Sequence, residues 1–214
     1  MTSIVMPQTP PAGARSLDAW VMVAPRRAFQ FAAAHRHGSG LWLAVRRPLF
    51  VAVVLGSMVS MLASGLLTAR IALSATTYWT FVPIAETLAL LLVAGRRFGR
   101  GSLAAAIDTF FAGHGPWTLF IIAVTGVLTF VPAALWWTLL TGWLLVAMLV
   151  VMLWSAYIDF WFFRTVLSAS RAAAIRDVLV QRLLTWTAVF LIFAVEAWTP
   201  GALFRELAEA FKEI

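Results

Sequence analysis

The 214-residue sequence contains no cysteine, which excludes disulfides, thiolate-bound metals and a cysteine nucleophile. Charged residues are also scarce: they make up 12% of the chain, against about 25% in an average soluble domain. Hydrophobic residues make up 62%. A soluble fold of this size could not bury so much apolar surface, whereas a bilayer can solvate it. The composition therefore predicts an integral membrane protein with little chain left for a soluble domain.

Sequence motifs for chemistry are missing as well. The chain has no phosphate-binding glycine loop, no nucleophile elbow, no zinc-binding helix motif and no paired catalytic carboxylates. His35 and His37 are two residues apart, a spacing that points their rings to different sides of a helix, and no third histidine lies nearby. We therefore assign no catalytic residue, cofactor or metal ligand, and we expect that the chain is not an enzyme.

Five apolar stretches predict an all-α, polytopic membrane helical bundle. A bilayer core of about 30 Å needs about 20 apolar residues of helix. Between Gly115 and Ile158 there is no charge, and because these 44 residues would make a helix of about 66 Å, they must fold as a hairpin with its turn near residues 138–142. Pro83 and Pro132 are expected to bend their helices. The predicted spans are residues 48–71, 78–95, 117–137, 143–163 and 178–198.

Shorter amphipathic stretches accompany these spans. Residues 1–47 form a predicted cytoplasmic N-terminal segment with an interfacial helix at 25–37, residues 48–198 form the transmembrane domain, and residues 199–214 form a short amphipathic tail. A further interfacial helix is predicted at 103–111, ended by Gly113 and by Gly115-Pro116. Each of the three amphipathic segments could lie on the membrane surface or pack on the ends of the bundle.

The basic residues predict an orientation. The net charge is +7, and the basic residues adjoin hydrophobic stretches, which favours anionic lipid headgroups over nucleic acid as partners. Thirteen arginines fall on one predicted side, and Arg70, Arg205 and Lys212 fall on the other. The positive-inside rule then places the N-terminus in the cytoplasm and the C-terminus outside. With 15 arginines and one lysine, the composition points to a GC-rich genome and a bacterial inner membrane.

Tryptophans support the same orientation, because they concentrate at membrane interfaces. Trp117 and Trp161 fall at the predicted inner interface. Five others fall at the predicted outer interface: Trp79, Trp136, Trp137, Trp143 and Trp198.

A stripe of small residues runs along the first predicted span. Its members recur every four residues: Ala52, Gly56, Ser60, Ser64 and Thr68. Such a stripe allows close approach of another helix. That helix could belong to the same chain, or the stripe could form a homo-oligomer or partner interface.

Four ionisable residues are candidate site residues. Glu86 lies at the middle of the second predicted span, where an ionised carboxylate is costly, so it either serves a solute pathway or is a neutral structural group. Asp159 is expected near the inner end of its span, paired with Arg171 or Arg182, and therefore not as a deep companion of Glu86. Asp108 and His114 flank the predicted break before Gly115 and could line a cytoplasmic cleft or serve a structural role.

Three sequence features resemble bacterial members of the Yip (Ypt-interacting protein) membrane family. They are Pro25-Arg-Arg-Ala-Phe29, then Arg47-Pro48-Leu49 leading into a span, and a late tryptophan-rich span followed by residues 168–174 and another hydrophobic helix. The resemblance implies five spans with a cytoplasmic N-terminus. It brings no catalytic residues, and the chain lacks the aspartate-leucine-tyrosine and glycine-tyrosine elements of the eukaryotic branch.

These features lead to two functional hypotheses. The first is a non-enzymatic protein that organises the membrane or assembles with other membrane subunits, motivated by the stripe and the amphipathic segments. The alternative is a small transporter or channel for ions, protons or solutes, with Glu86 in the pathway. A membrane-bound enzyme would require Asp108, His114 and arginines to meet in a cleft open to lipid.

Overall fold

The structure, a computed structural model, describes residues 16–35, 40–65, 68–98, 103–132, 135 and 140–198, with the backbone alone at 63, 64, 140, 141 and 196–198. The described residues contain no strand and form nine α-helices. These are α1 Leu17–Val23, α2 Pro25–Ala34, α3 Leu41–Ser64, α4 Ala69–Trp79, α5 Phe81–Ala94, α6 Leu103–Phe111, α7 Gly115–Phe130, α8 Leu145–Trp161 and α9 Arg171–Trp198.

Five helical stretches are long and apolar enough to cross a bilayer, which confirms the predicted all-α bundle. They are, from the first span to the fifth, Leu41–Leu62, Ala69–Arg97, Leu103–Phe130, Gly142–Val166 and Arg171–Val195. Their bounds differ from the predicted ones, and these differences change where the charged side chains lie along the helices.

The helix of the first span, α3, begins seven residues before Pro48 and ends at Ser64 instead of at residue 71. Gly65 ends it in the left-handed conformation, with a φ of 68°, which glycine adopts without steric penalty. Thr68 then begins α4, where its hydroxyl accepts a hydrogen bond from the backbone N–H of Ile71. The predicted boundary between residues 47 and 48 therefore falls inside a helix.

The second span contains the expected proline irregularity. Helices α4 and α5 are separated by Thr80, three residues before Pro83. Proline lacks the N–H that would bond to the carbonyl of Trp79, and its ring clashes with that carbonyl. A 3₁₀ turn, Gly95–Arg97, extends the span to its last arginine.

The predicted interfacial helix at 103–111 is instead the first part of the third span. Helix α6 continues through a 3₁₀ turn, Ala112–His114, into α7. Gly115 and Pro116 do not break the helix, because Pro116 lies in its first turn, where a missing N–H leaves no bond unmade. Trp117 consequently lies in the middle of the span and not at the inner interface.

The opposite end of this span also differs from the prediction. Pro132 does not bend the helix; α7 has already ended at Phe130. Val131 is extended, with φ −94° and ψ 134°, because the ring of a following proline excludes the helical conformation.

Two contacts show that the fifth span runs antiparallel to the second. Arg97, at the end of the second span, donates to the Asp177 carboxylate at 2.5 Å near the start of the fifth. The rings of Trp79 and Phe193 lie 5.8 Å apart, eighteen and sixteen residues farther along the same two spans. We call the end that carries Arg97 the arginine-rich end.

Helices α1 and α2 pack against the arginine-rich end. Phe29 is fully buried with its ring 5.8 Å from that of Phe162, at the end of the fourth span. Trp154 donates its indole N–H to the carbonyl of Met22 at 3.2 Å. Of the two alternatives for this N-terminal segment, the structure shows packing on the bundle and not a position on the membrane surface. The tail at 199–214 lies outside the described residues, so its placement stays a prediction.

Candidate functional site: a charged cavity between the spans

A cavity of about 330 Å³ lies inside the bundle. Every one of the five spans contributes to its lining, and the residues of interest are Leu55, Glu86, His114, Asp159 and Arg182. Glu86 is the candidate that the sequence predicts nearest the membrane middle, and the structure places it on the wall of this cavity. The polar lining consists of two ion pairs and a few uncharged groups.

Glu86 and His114 form the first ion pair. His114 Nε2 lies 2.8 Å from Glu86 Oε2. The side chain of His114 is 12% exposed and that of Glu86 is 18% exposed. The imidazole stacks on the ring of Phe111, with centroids 4.6 Å apart, and meets the edge of Phe110 at 5.4 Å. Its Nδ1 is buried and has no hydrogen-bond partner among the described residues. The aromatic rings fix the imidazole so that Nε2 faces the carboxylate.

Asp159 and Arg182 form the second pair. Arg182 Nε and Nη2 donate to Asp159 Oδ2 at 3.1 and 2.6 Å. Nη2 also donates to the hydroxyl of Ser155 at 2.7 Å, and Nη1 reaches the carbonyl of Met152 at 3.5 Å. Arg182 is one of the two partners that the sequence favoured for Asp159. The guanidinium thus has three hydrogen-bond partners on the fourth span.

Glu86, His114 and Arg182 lie deep in the bundle, each eleven residues from one end of its span. Glu86 precedes Arg97 by eleven residues, and His114 follows Leu103 by the same number. At about 1.5 Å per residue this is about 16 Å, or half of a bilayer core of about 30 Å. Asp159 lies toward one end of its span, as expected, seven residues before Val166, but it nevertheless lines the same cavity as Glu86, which the sequence analysis did not predict.

The cavity is polar at one end and aromatic at the other. Its ion pairs lie toward the arginine-rich end. Toward the opposite end, Trp117 and Trp186 pack with ring centroids 6.4 Å apart, and Trp79 packs with Phe193. All four of these aromatic residues line the cavity. A ligand that fills it would meet charge at one end and aromatic faces at the other.

Asp108 and His114 do not share a cleft. Asp108 accepts from Arg46 Nε and Nη2 at 2.6 and 2.7 Å and also pairs with Arg47 Nη1. Arg47 in turn makes a two-pronged bond to the Asp18 carboxylate at 2.9 and 3.0 Å. This cluster joins α1 to the starts of the first and third spans. The sequence analysis did not predict this cluster. The arginine pair directly before Pro48 was the signal for it, because two arginines inside a membrane-spanning helix need acidic partners.

The small-residue stripe packs within the chain at its described positions. Ala52 and Ser60 are buried. A Cβ on Gly56 would lie 2.3 Å from the backbone N of Thr76, so the backbones of α3 and α4 touch here. Thr68 serves as the N-cap of α4. The side chain of Ser64 lies outside the described part.

No group of three or more His, Asp or Glu side chains in the described part of the chain could hold a metal ion. Comparisons of the chain with protein-family models, curated proteins and solved structures found no significant match.

Proposed function

We propose that this protein is a membrane carrier for a small solute, which binds in the central cavity with Glu86 and His114 in its pathway. The observation that carries this proposal is the depth and charge of the cavity: four ionisable groups line it, three of them eleven residues inside their spans and Asp159 seven residues from the end of its span. Charged groups at this depth are costly, and apolar residues would hold the same helices together. A polar binding site accounts for that cost.

The arrangement favours binding over chemistry on a substrate. The hydroxyl of Ser155, which lines the cavity, accepts a hydrogen bond from Arg182, and the carboxylate one turn away, Asp159, is bound by the same guanidinium. The charged groups are matched as two acid–base pairs, an arrangement suited to holding and releasing charge. A nucleophile activated by a neighbouring base would be needed for acyl or phosphoryl transfer.

The features that favoured an assembly role are engaged inside the chain. The stripe packs α3 on α4 at Gly56, and the amphipathic α2 buries Phe29 on the fourth span. We therefore rank transport, the alternative drawn from the sequence, above assembly. Association with a second copy or another membrane protein would use other faces of the bundle.

We further propose that the arginine-rich end faces the cytoplasm of a bacterium, with the N-terminus inside, the C-terminus outside and anionic headgroups around this end. The exposed Arg26 and Arg96 support this orientation through the positive-inside rule. The Yip resemblance implies the same topology and adds no activity. Reporter enzymes fused to the two termini and found in one compartment would contradict the orientation.

The transport proposal is tested in membranes that carry the reconstituted full chain, by currents across solid-supported membranes and by a pH-sensitive dye inside liposomes, which also detects proton exchange that moves no net charge. Jumps in the concentration of protons, inorganic cations, organic cations, organic anions or amino acids are applied in turn. We expect at least one solute to produce a current or a change of the internal pH, and Glu86→Gln to reduce that response to the level of protein-free membranes, because the amide cannot carry the exchanged charge.

The matched control is Thr87→Val, which removes a polar side chain beside Glu86 whose hydroxyl donates to the backbone carbonyl of Pro83. It should retain the wild-type response. Both variants must elute from size-exclusion chromatography as the wild type does. If no solute produces a current or an internal pH change with the wild type, or if Glu86→Gln transports normally, the transport proposal is wrong.

A further inference from the structure

The charges at the polar end of the cavity are not equally fixed. Asp159 is neutralised by Arg182, whose guanidinium stays protonated in proteins. The partner of Glu86 is His114, and histidine changes its charge near neutral pH. Two carboxylates and one guanidinium leave a net charge of minus one while His114 is neutral, and zero while it is protonated. One proton therefore decides whether the cavity has an unbalanced negative charge.

The unbalanced negative charge favours a positively charged ligand over a negatively charged one. An anion would need a free cationic donor, but Arg182 is already bonded to Asp159, Ser155 and Met152. Glu86 has a single described hydrogen bond, to His114. A cation could take the place of the proton on His114 and leave the second ion pair undisturbed.

The aromatic end of the cavity selects the body of the ligand. Trp79, Trp117, Trp186 and Phe193 line it, and indole faces attract cations and pack against apolar surface. The volume of about 330 Å³ falls at the lower end of the range of about 300–1,000 Å³ that holds drug-sized molecules. An inorganic ion would leave most of this space unfilled.

We propose, on the basis of the transport function above, that the cavity binds a hydrophobic organic cation in exchange for the proton of His114. The imidazolium releases its Nε2 proton to water and becomes neutral. The Glu86 carboxylate then pairs with the incoming cation, and no covalent bond to the ligand forms. One positive charge leaves and one enters, so the charge inside the bundle is conserved.

This exchange is tested by equilibrium dialysis of tetraphenylphosphonium against the purified full chain in detergent, with protein-free micelles as the baseline. We expect saturable binding of one cation per chain, release of a proton in weakly buffered solution, and an affinity that increases with pH. Glu86→Gln should weaken binding by more than about tenfold, since it removes the charge that pairs with the cation. Thr87→Val should bind as the wild type does.

His114→Asn separates exchange from simple binding. Without a proton to displace, this variant should bind the cation with no proton release and with an affinity that no longer depends on pH. Should it fail to fold, the pH dependence of the wild type carries the same test. Cation binding by the wild type without proton release, or with an affinity independent of pH, would overturn the exchange.

The nearly isosteric anion tetraphenylborate separates this inference from the transport function. Binding of the anion in place of the cation, or transport of a different class of solute with no binding of tetraphenylphosphonium, would overturn the cation assignment and leave transport standing. If neither ion binds and no solute produces a current or an internal pH change, both proposals fail.

Discussion

Asp159→Asn is expected to lower the free energy of unfolding by about 3–5 kcal/mol, the loss typical when one partner of a buried ion pair is removed. In the wild type, Asp159 accepts hydrogen bonds from Nε and Nη2 of Arg182. In the variant, the guanidinium would stay protonated but would lose the negative charge that balances it. The measurement is unfolding by sodium dodecyl sulfate in mixed micelles, followed by the fluorescence of the chain's eleven tryptophans.

The double variant Asp159→Asn/Arg182→Met is the matched comparison. Replacing a whole buried pair by uncharged residues is often neutral, because the cost of desolvating both charges disappears with them. We therefore expect the double variant to recover most of the stability lost by the single variant. If it unfolds as easily as Asp159→Asn, the loss arises from packing and not from an uncompensated charge.

Gly56→Ala is expected to destabilise the chain by about 1–3 kcal/mol, the usual cost of overpacking. The new Cβ would lie 2.3 Å from the backbone N of Thr76 and 2.4 Å from its Cα. Backbone atoms cannot rotate away as a side chain can, so the first and second spans would have to separate. The same micelle titration measures the effect.

Gly126→Ala is the control for this substitution. Gly126 is also within a spanning helix, and a Cβ there meets nothing within 4 Å. Alanine favours helix over glycine by about 1 kcal/mol, so this variant should be as stable as the wild type or slightly more stable. Equal losses at Gly56 and Gly126 would show that the close contact of α3 with α4 does not matter.

The number and order of the spans could be predicted from the sequence because hydrocarbon solvation acts along the whole chain. Some helix ends have local signals that the predicted spans did not use: Gly65 and Thr68 are typical terminal residues, and a proline at position 132 favours an extended Val131. At these positions the local conformational preference determines where the helix ends, and the length of the hydrophobic run does not.

Arginine is the least reliable guide to helix ends in this chain. The charge pattern places Arg46 and Arg47 before the first span, but both are inside α3, because Asp108 and Asp18 neutralise them from other helices. Arg164 follows the predicted end of the fourth span, yet that span continues to Val166, and Arg164 donates to the carbonyl of Ala169 at 2.5 Å. A charge ends a span only when nothing in the protein neutralises or solvates it.

The cavity was only partly predictable for the same reason. Glu86 is a candidate from its depth alone, since depth follows from position in a span. Its pairing with His114 depends on which faces of the second and third spans meet, and on a third span that begins at Leu103. One sequence contains no direct record of such contacts between distant segments.

Both proposals require that water reach the cavity, which all five spans line at mid-membrane depth. The chain has no cysteine, so a single introduced thiol can be followed without background. Thr118 lines the cavity, whereas Leu88 is 54% exposed on the outer surface of the bundle, two residues from Glu86.

Proteoliposomes that carry Thr118→Cys or Leu88→Cys are treated with a small, charged methanethiosulfonate, which reacts with the thiolate and therefore needs water at the sulfur. We expect Thr118→Cys to be labelled, and Leu88→Cys to be labelled only after denaturation. A Thr118→Cys thiol that resists the reagent, or a Leu88→Cys thiol that reacts as fast, would contradict the account.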